Sequence, residues 1–192
     1  MRIIAGEFKG RPIKAPKGDS TRPTIDRVRE SLMSSIASAR GGFEDAVVLD
    51  LFAGSGALGL ESISRGAASA VFCEKHPDAL RALQSNVAMA GSARVRIVRG
   101  DVTKRLPRPL VSAPFDLVFL DPPYAMPCED VAALIAGLRD VGSLAPSALI
   151  VYEHDTTQDP LSNTAFASLQ LEALNRKKFG ATIIDIFENG ES

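Results

Sequence analysis

Residues Asp121-Pro122-Pro123-Tyr124 put a carboxylate, two rigid imino acids and a phenol into four consecutive positions. They follow the apolar run Phe115–Leu120, which reads as a buried strand, so the four are expected at a strand end. The prolines fix a stiff, extended turn that donates no N–H there but still presents carbonyl acceptors. That arrangement suits a planar exocyclic amine, whose lone pair is delocalised into its ring and is therefore a poor nucleophile. The Asp121 carboxylate and the Pro122 carbonyl can hold the two N–H groups and favour a pyramidal nitrogen, so that positioning supplies most of the rate. Tyr124 is expected to stack on the base, as in enzymes that act on extruded bases. The predicted catalytic set is Asp121, Pro122 and Tyr124, and the predicted chemistry is methylation of a base amine. The alternative is a purely structural turn with a buried Tyr.

A second motif supplies the donor. Gly54, Gly56 and Gly59 spell G-x-G-x-x-G between a predicted strand at 47–52 and a helix running to about Arg65. Glycine lets a backbone approach a ligand closely, and a helix N-terminus offers N–H donors. Glu74, twenty residues past Gly54 at the end of the next predicted strand, can accept both hydroxyls of a ribose. Asp50, just before the turn, would oppose a pyrophosphate but could pair with the cationic amine of a methionine moiety. The pattern thus favours S-adenosylmethionine over a nicotinamide dinucleotide. Asp101, after Gly100, is placed to reach an adenine amine. Donor contacts are expected from Asp50, Phe52, Ala53, Gly54, Ser55, Gly56, Glu74, Lys75, Asp101 and Val102.

Other reactive residues carry less. Pro127-Cys128 resembles the nucleophile pair of C5-cytosine methylation, but it follows the amine turn at a helix start, where Cys128 is expected to be structural. Cys73 and Cys128 are too few for a disulfide framework, and neither His76 nor His154 has partners at ligand spacing, so no metal site is predicted.

The elements that must hold these motifs alternate. Thr24 is a plausible N-cap for a helix with Ile25, Val28, Leu32 and Ile36 on one face, leaving Arg27 and Arg29 to face a ligand or water. Strands at 47–52, 70–74, 95–98, 115–120 and 149–152 are separated by helices with buried stripes at Leu80, Leu83, Val87 and Ala90, and at Val131, Leu134, Ile135 and Leu138. Pro77 suits the first turn of the third helix. This implies a parallel sheet covered by helices, a Rossmann-like α/β fold. Runs near 168–175 and 181–187, joined by a loop holding Lys177, Lys178 and Gly180, read as a hairpin with an antiparallel last strand.

With 192 residues, 45% hydrophobic and 23% charged, the chain is an ordinary globular one with room for one sizeable core. No apolar stretch approaches bilayer length, and the N-terminus lacks a secretory signal pattern, so a cytoplasmic protein is expected. The net charge of −1 divides into +5 over residues 1–40 and −6 over the remainder. A basic extension, read as hairpin plus helix packed on a main domain at 41–192, suggests a polyanionic partner.

Across essentially the whole chain the sequence resembles the bacterial 16S (small-subunit) ribosomal RNA guanine-N2-methyltransferases. The resemblance rests on Arg2-Ile3-Ile4 with Gly6, Gly10 and Arg11, and on Arg22-Pro23-Thr24 followed by Asp26-Arg27-Val28-Arg29-Glu30. It extends to the donor motif at 50–59, to Asp121-Pro122-Pro123-Tyr124, and to Lys177-Lys178-Phe179-Gly180, where Phe stands in place of a frequent Tyr. It implies a seven-stranded class I methyltransferase fold, mostly parallel with an antiparallel last strand, acting as a monomer on guanine in an assembled small subunit. It also implies that the basic segment contacts RNA, through Arg2, Lys9, Arg11, Lys14, Arg22 and Arg27, and helps to close over the donor. A DNA adenine-N6 methyltransferase shares the amine motif, and a non-catalytic RNA-binding assembly factor could share the scaffold.

Overall fold

The computed structural model describes residues 1–16, 23–104, 106, 114–160 and 163–190. The elements run α1 (Pro23–Arg40), β1 (Val47–Asp50), α2 (Ala57–Ser64), β2 (Ser69–Glu74), α3 (Pro77–Val87), β3 (Val95–Arg99), β4 (Phe115–Leu120), α4 (Cys128–Asp140), β5 (Leu144–Asp155), α5 (Thr164–Ala167), β6 (Glu172–Phe179) and β7 (Thr182–Glu188). The seven strands are ordered β3-β2-β1-β4-β5-β7-β6. The chain divides into two compact units, Met1–Gly100 and Asp101–Ser192.

In the first unit β1, β2 and β3 pair in parallel, and parallel neighbours need crossover helices, here α2 and α3. The core holds Leu49, Phe72 and Leu83 from the strands and α3, together with Leu32, Met33 and Ile36 of α1. The N-terminus forms the expected hairpin. Arg2 bridges Pro12, and Gly10 N–H and Ile13 N–H donate to the carbonyls of Ile3 and Met1. This hairpin lies directly on α2. Ile4 and Ala5 donate their N–H groups to the two oxygens of Glu61 at 2.8 and 3.0 Å, and Phe8 N–H donates to Ser64 Oγ at 2.9 Å. Gly6 is obligatory there: its φ is 81°, and a Cβ would fall 1.7 Å from the Ser64 carbonyl oxygen.

Glu61 is fully buried and also accepts from Arg65 Nε at 2.9 Å. Arg29 lies 3.9 Å from it. The sequence placed Arg29 off the apolar stripe, facing ligand or water. Instead it is buried, and its guanidinium donates to the Arg2 carbonyl and to Asp26. An arginine tolerates burial when such partners surround it; Asp26 is one helical turn away, but the Arg2 carbonyl lies twenty-seven residues away in the chain, beyond the reach of a helical pattern. The expected N-cap Thr24 has its side chain outside the described residues; the helix begins at Pro23.

In the second unit β4 and β5 are parallel, while β7 runs antiparallel to both β5 and β6. The hairpin therefore exists, but Lys177 and Lys178 stand within β6 and only Gly180-Ala181 form the turn. β6 is an edge strand with a mostly exposed face, so it carries no apolar alternation to mark its limits, and lysine is a usual guard of such an edge. β5 is longer than its apolar run at 149–152 because residues 144–148 and 153–155 extend it at both ends. Buried charge ties the three strands. His154 on β5 has its ring nitrogens 2.9 Å from Asp185 Oδ2 and 2.8 Å from the Asp155 carbonyl, and Asp185 accepts from Arg176 Nε at 2.6 Å. Desolvation raises the Asp185 pKa, but the His154 and Arg176 bonds outweigh it and leave the carboxyl below its ordinary value.

The Glu61 cluster makes a testable demand. Replacing Glu61 by Ala leaves two N–H groups and the Arg65 guanidinium without their shared acceptor, and Arg29 without its neighbouring opposite charge. Urea unfolding is expected to show a loss of about 3–5 kcal/mol; a loss below about 1 kcal/mol would contradict this account of how the hairpin is held.

Candidate active site

The glycine turn follows β1 and has no ladder of its own. Its polar backbone groups are satisfied from other elements. Ala53 N–H donates to the Cys73 carbonyl at 3.0 Å, Gly54 N–H to Glu74 Oε2 at 2.9 Å, and Gly56 N–H to the Ala53 carbonyl at 2.6 Å. The Ser55 carbonyl accepts from Asn86 Nδ2 at 2.9 Å. Glu74 Oε1 in turn accepts from the N–H groups of Lys75 and His76, each at 2.7 Å. The carboxylate at the end of β2 is thus fixed in direction by three backbone donors.

The three glycines do different work. Gly54 has φ 53°, and a Cβ there would meet nothing closer than 4.0 Å, so it faces open space. Gly56 has φ 81°, and its Cβ would strike Leu83 Cδ1 at 2.6 Å. A Cβ on Gly59 would come within 2.3 Å of Phe72. Gly54 is the glycine that leaves room for a ligand, and the other two let α2 pack against α3 and β2.

Asp50 is buried at 2% exposure. The sequence suggested a direct partner for a cationic amine; the carboxyl lies instead beneath the turn, bonded by the N–H groups of Gly59 and Phe52. Burial pushes its pKa from 3.8 up to about 7, against the lowering pull of those two bonds and with a further push from Glu74. Cys73 is buried as well, and burial, Asp50 and Glu74 push its thiol up to about 12, which makes it inert. Phe52 is half-buried, Ala53 and Ser55 are buried, and Lys75 is exposed.

These features fit an adenosyl-methionine ligand better than a dinucleotide. A phosphate cradle needs unengaged N–H donors, whereas those of Ala53, Gly54 and Gly56 are taken within the unit. The Glu74 carboxylate adds negative character beside the space at Gly54, which disfavours a pyrophosphate.

Within the second unit, Asp101 Oδ1 accepts from Thr103 N–H at 3.2 Å and from its hydroxyl at 2.7 Å, and Val102 is buried. The Asp-Pro-Pro-Tyr run leaves the C-terminal end of β4. Asp121 is exposed, Pro122 is buried, and Met126 N–H closes a turn onto the Pro123 carbonyl at 2.8 Å. Tyr124 is 52% exposed, so the ring is not the buried Tyr of a merely structural turn. Its hydroxyl is held at 3.0 Å from Thr182 Oγ1 and, more weakly, 3.5 Å from Glu153 Oε1. The Thr182 bond lowers the phenol's pKa, but desolvation and the charges of Glu153 and Asp121 raise it further, to a net value above the ordinary one. Desolvation also raises the Glu153 carboxyl. An aromatic ring tethered by its hydroxyl and open at its face is a platform for a planar group.

Thr182, Glu153 and Asn86 are functional candidates that the motifs did not reveal. Asn86 left one signal in the sequence: a polar residue on the buried side of α3 between Leu83 and Val87. Cys128 is buried in the first turn of α4, and the charge and hydrogen bonding of neighbouring Glu129 reinforce desolvation in raising its pKa, the opposite of an activated nucleophile. Of the basic residues expected to meet RNA, Arg2, Lys9, Arg11, Lys14 and Arg27 are exposed, and Arg22 lies outside the described residues. Arg11 and Arg94 flank the Phe8 ring at 5.1 and 5.2 Å, bringing an arginine from before β3 to the same face.

The raised Asp50 pKa has a stability consequence. The folded protein holds this proton more tightly than the unfolded chain, so its contribution is complete below about pH 4 and is lost as pH rises through about 7. Asn at this position does not titrate. The stability of Asp50→Asn relative to the parent should therefore climb between pH 5 and 8, by about 2–3 kcal/mol, and then level, with Tm following. A pH-independent difference in thermal melts would contradict it.

Comparison with known proteins agrees with this geometry. The family model described as "Conserved hypothetical protein 95" matches residues 1–188. The chain is 36% identical over 157 residues to the "Putative rRNA methyltransferase YlbH" of Bacillus subtilis, covering 81% of this chain and 83% of that one. It is 38% identical over 155 residues to "Ribosomal RNA small subunit methyltransferase D" of Escherichia coli, covering 81% and 75%. The solved structure "Putative methyltransferase yhhF from Escherichia coli" superposes with a TM-score of 0.81 at 33% identity, over 100% of this chain and 99% of that one. With the glycine turn, the strand-end Asp-Pro-Pro-Tyr and the N-terminal hairpin all inside the matched span, the chain belongs to the Conserved hypothetical protein 95 family.

Proposed function

We propose that the protein transfers the methyl group of S-adenosylmethionine to the exocyclic N2 amine of a guanine in small-subunit (16S) ribosomal RNA. The observation that carries the reading is the turn after β4. It combines an exposed Asp121, a carbonyl on a proline-fixed backbone and an open, hydroxyl-tethered Tyr124 ring. The ribosomal substrate follows from relatives named for it.

When bound, S-adenosylmethionine supplies an electrophilic methyl group on a sulfonium centre. Glu74, directed by three backbone N–H groups, accepts the ribose hydroxyls. The space beside Gly54 admits the ligand backbone. Asp101 and Val102 receive the adenine, and Phe52, Ala53, Ser55, Gly56 and Lys75 line the remainder. Asp50 acts from beneath: its buried carboxyl, pKa about 7, sets the charge under the turn that faces the methionine amine.

On the acceptor side the guanine stacks on Tyr124. Its two N–H groups go to the Asp121 carboxylate and to the Pro122 carbonyl, on which no hydrogen bond among the described residues ends. Both acceptors lie in one short rigid segment, which favours a pyramidal nitrogen whose lone pair is available to attack a methyl donor. Once alkylated, the nitrogen is cationic and sheds a proton, which the Asp121 carboxylate is placed to accept. The exposed Arg2, Lys9, Arg11, Lys14 and Arg27, with Arg22 of the same segment, supply the phosphate contacts that position an RNA. Residues 1–40 thus serve as the RNA-contacting extension and 41–192 as the donor-binding domain. Donor and acceptor motifs lie on one chain, so a monomer in the cytoplasm, where subunits assemble, carries the complete set.

Three variants test the acceptor half. Asp121→Ala should bind S-adenosylmethionine within about twofold of the parent yet lose at least about a hundredfold in transfer of labelled methyl to unmethylated small subunits. A normal transfer rate would remove Asp121 from the mechanism. Tyr124→Phe, which keeps the ring and loses the Thr182 bond, should be impaired less than Tyr124→Ala, which gives up about 1–3 kcal/mol of stacking. Equal rates for the two would count against a stacked base.

A further inference from the structure

The Asn86 side chain joins two segments that the proposed reaction uses separately. It is 2% exposed, on the inner face of α3. Its Oδ1 accepts the Lys14 N–H at 2.9 Å, and its Nδ2 donates to the Lys14 carbonyl and to the Ser55 carbonyl, both at 2.9 Å. One amide therefore pairs with both backbone groups of a residue in the basic segment and, with its remaining hydrogen, grips the glycine turn. Lys14 adds a bond from Nζ to Ser85 Oγ at 3.0 Å, on the residue preceding Asn86.

The chemistry selects asparagine. The site requires one acceptor and two donors in a single plane, a set that the primary amide supplies and that neither a carboxylate nor a hydroxyl can match. An unbonded amide at this depth would be costly, so its three bonds stand or fall together. Glu74 holds the turn at Gly54 and Asn86 holds it at Ser55, the next residue. Only the second hold also reaches the N-terminal segment.

We infer that Asn86 is a positioning residue that couples the basic N-terminal segment to the donor turn, so that occupancy of the turn tightens the segment and loosening the segment weakens donor binding. The inference rests on the reading of the glycine turn as the S-adenosylmethionine site. Coupling of this kind is reciprocal, and each direction can be read independently.

The test uses the full chain without RNA. Calorimetry with S-adenosylmethionine on Asn86→Asp, which keeps one acceptor and loses both donors, should show a Kd raised on the order of tenfold. Lys14→Pro, which removes the backbone donor to Oδ1 together with the Nζ bond to Ser85 and touches no residue of the turn, should raise it in the same direction and guards against a folding defect in the first variant. In the parent, saturating S-adenosylmethionine should slow tryptic cleavage after Lys9, Arg11 and Lys14 several-fold, and in Asn86→Asp that protection should vanish. A residue that merely supported α3 would lower Tm without abolishing donor-dependent protection. Unchanged Kd values in both variants, with full protection retained, would overturn the coupling while leaving the donor site intact. Failure of the parent itself to bind S-adenosylmethionine would overturn the donor reading and the coupling with it.

Discussion

The turn after β1 must satisfy its backbone without a strand or helix to do it. Ala53 and Gly54 give their N–H groups to the end of β2, and Ser55 gives its carbonyl to Asn86 of α3. Asp50 lies below, bonded by the N–H groups of Phe52 and Gly59. Polar backbone groups cannot be left unpaired in a buried place, so a turn of this shape exists only where these lenders already stand. That condition fixes the parallel pairing of β1 with β2, the close packing of α2 that Gly56 and Gly59 permit, and the position of Glu74 beside Gly54. The ligand site is the remainder once these demands are met.

The N-terminal hairpin obeys the same rule. Its N–H groups at Ile4, Ala5 and Phe8 find acceptors on Glu61 and Ser64 of α2, the helix that the glycine turn starts. A segment with a net charge of +5 over its first forty residues is thereby seated on the element next to the donor turn, with Arg2, Lys9, Arg11 and Lys14 outward. In the proposed reading, the charge that meets RNA and the backbone that holds the donor are parts of one packed unit. In the second unit a different economy holds. The prolines after β4 remove the need for N–H partners at two positions and keep a carbonyl and a carboxylate rigid, while Thr182 and Glu153 steady Tyr124 from neighbouring strands.

What was legible in the sequence was local. The glycine motif, the Asp-Pro-Pro-Tyr run, Pro77 at a helix start and the alternation of strand with helix each declare themselves within a short window. The antiparallel β7 followed from the loop at Lys177, Lys178 and Gly180 between two strand-like runs. What stayed hidden depended on partners distant in the chain. Arg29 looked like a surface cation because, beyond nearby Asp26, the groups that accompany its burial are the distant Arg2 carbonyl and the Glu61 carboxylate. Asn86 pairs with Lys14, seventy-two residues away, and Tyr124 with Thr182, fifty-eight away. The lysines of β6 looked like a loop because an exposed edge strand has no apolar face to show. Asp50 was recognised as important, but its depth beneath the turn, and hence its raised pKa, belongs to packing that no spacing encodes.

The central claim is the identity of the product, and it is tested most directly at the level of the nucleoside. Small ribosomal subunits lacking the modification, incubated with the purified protein and S-adenosylmethionine and then digested to nucleosides for mass spectrometry, should gain N2-methylguanosine, and Asp121→Ala should add none. A profile without new N2-methylguanosine, or one in which a methylated adenosine appears instead, would contradict the account.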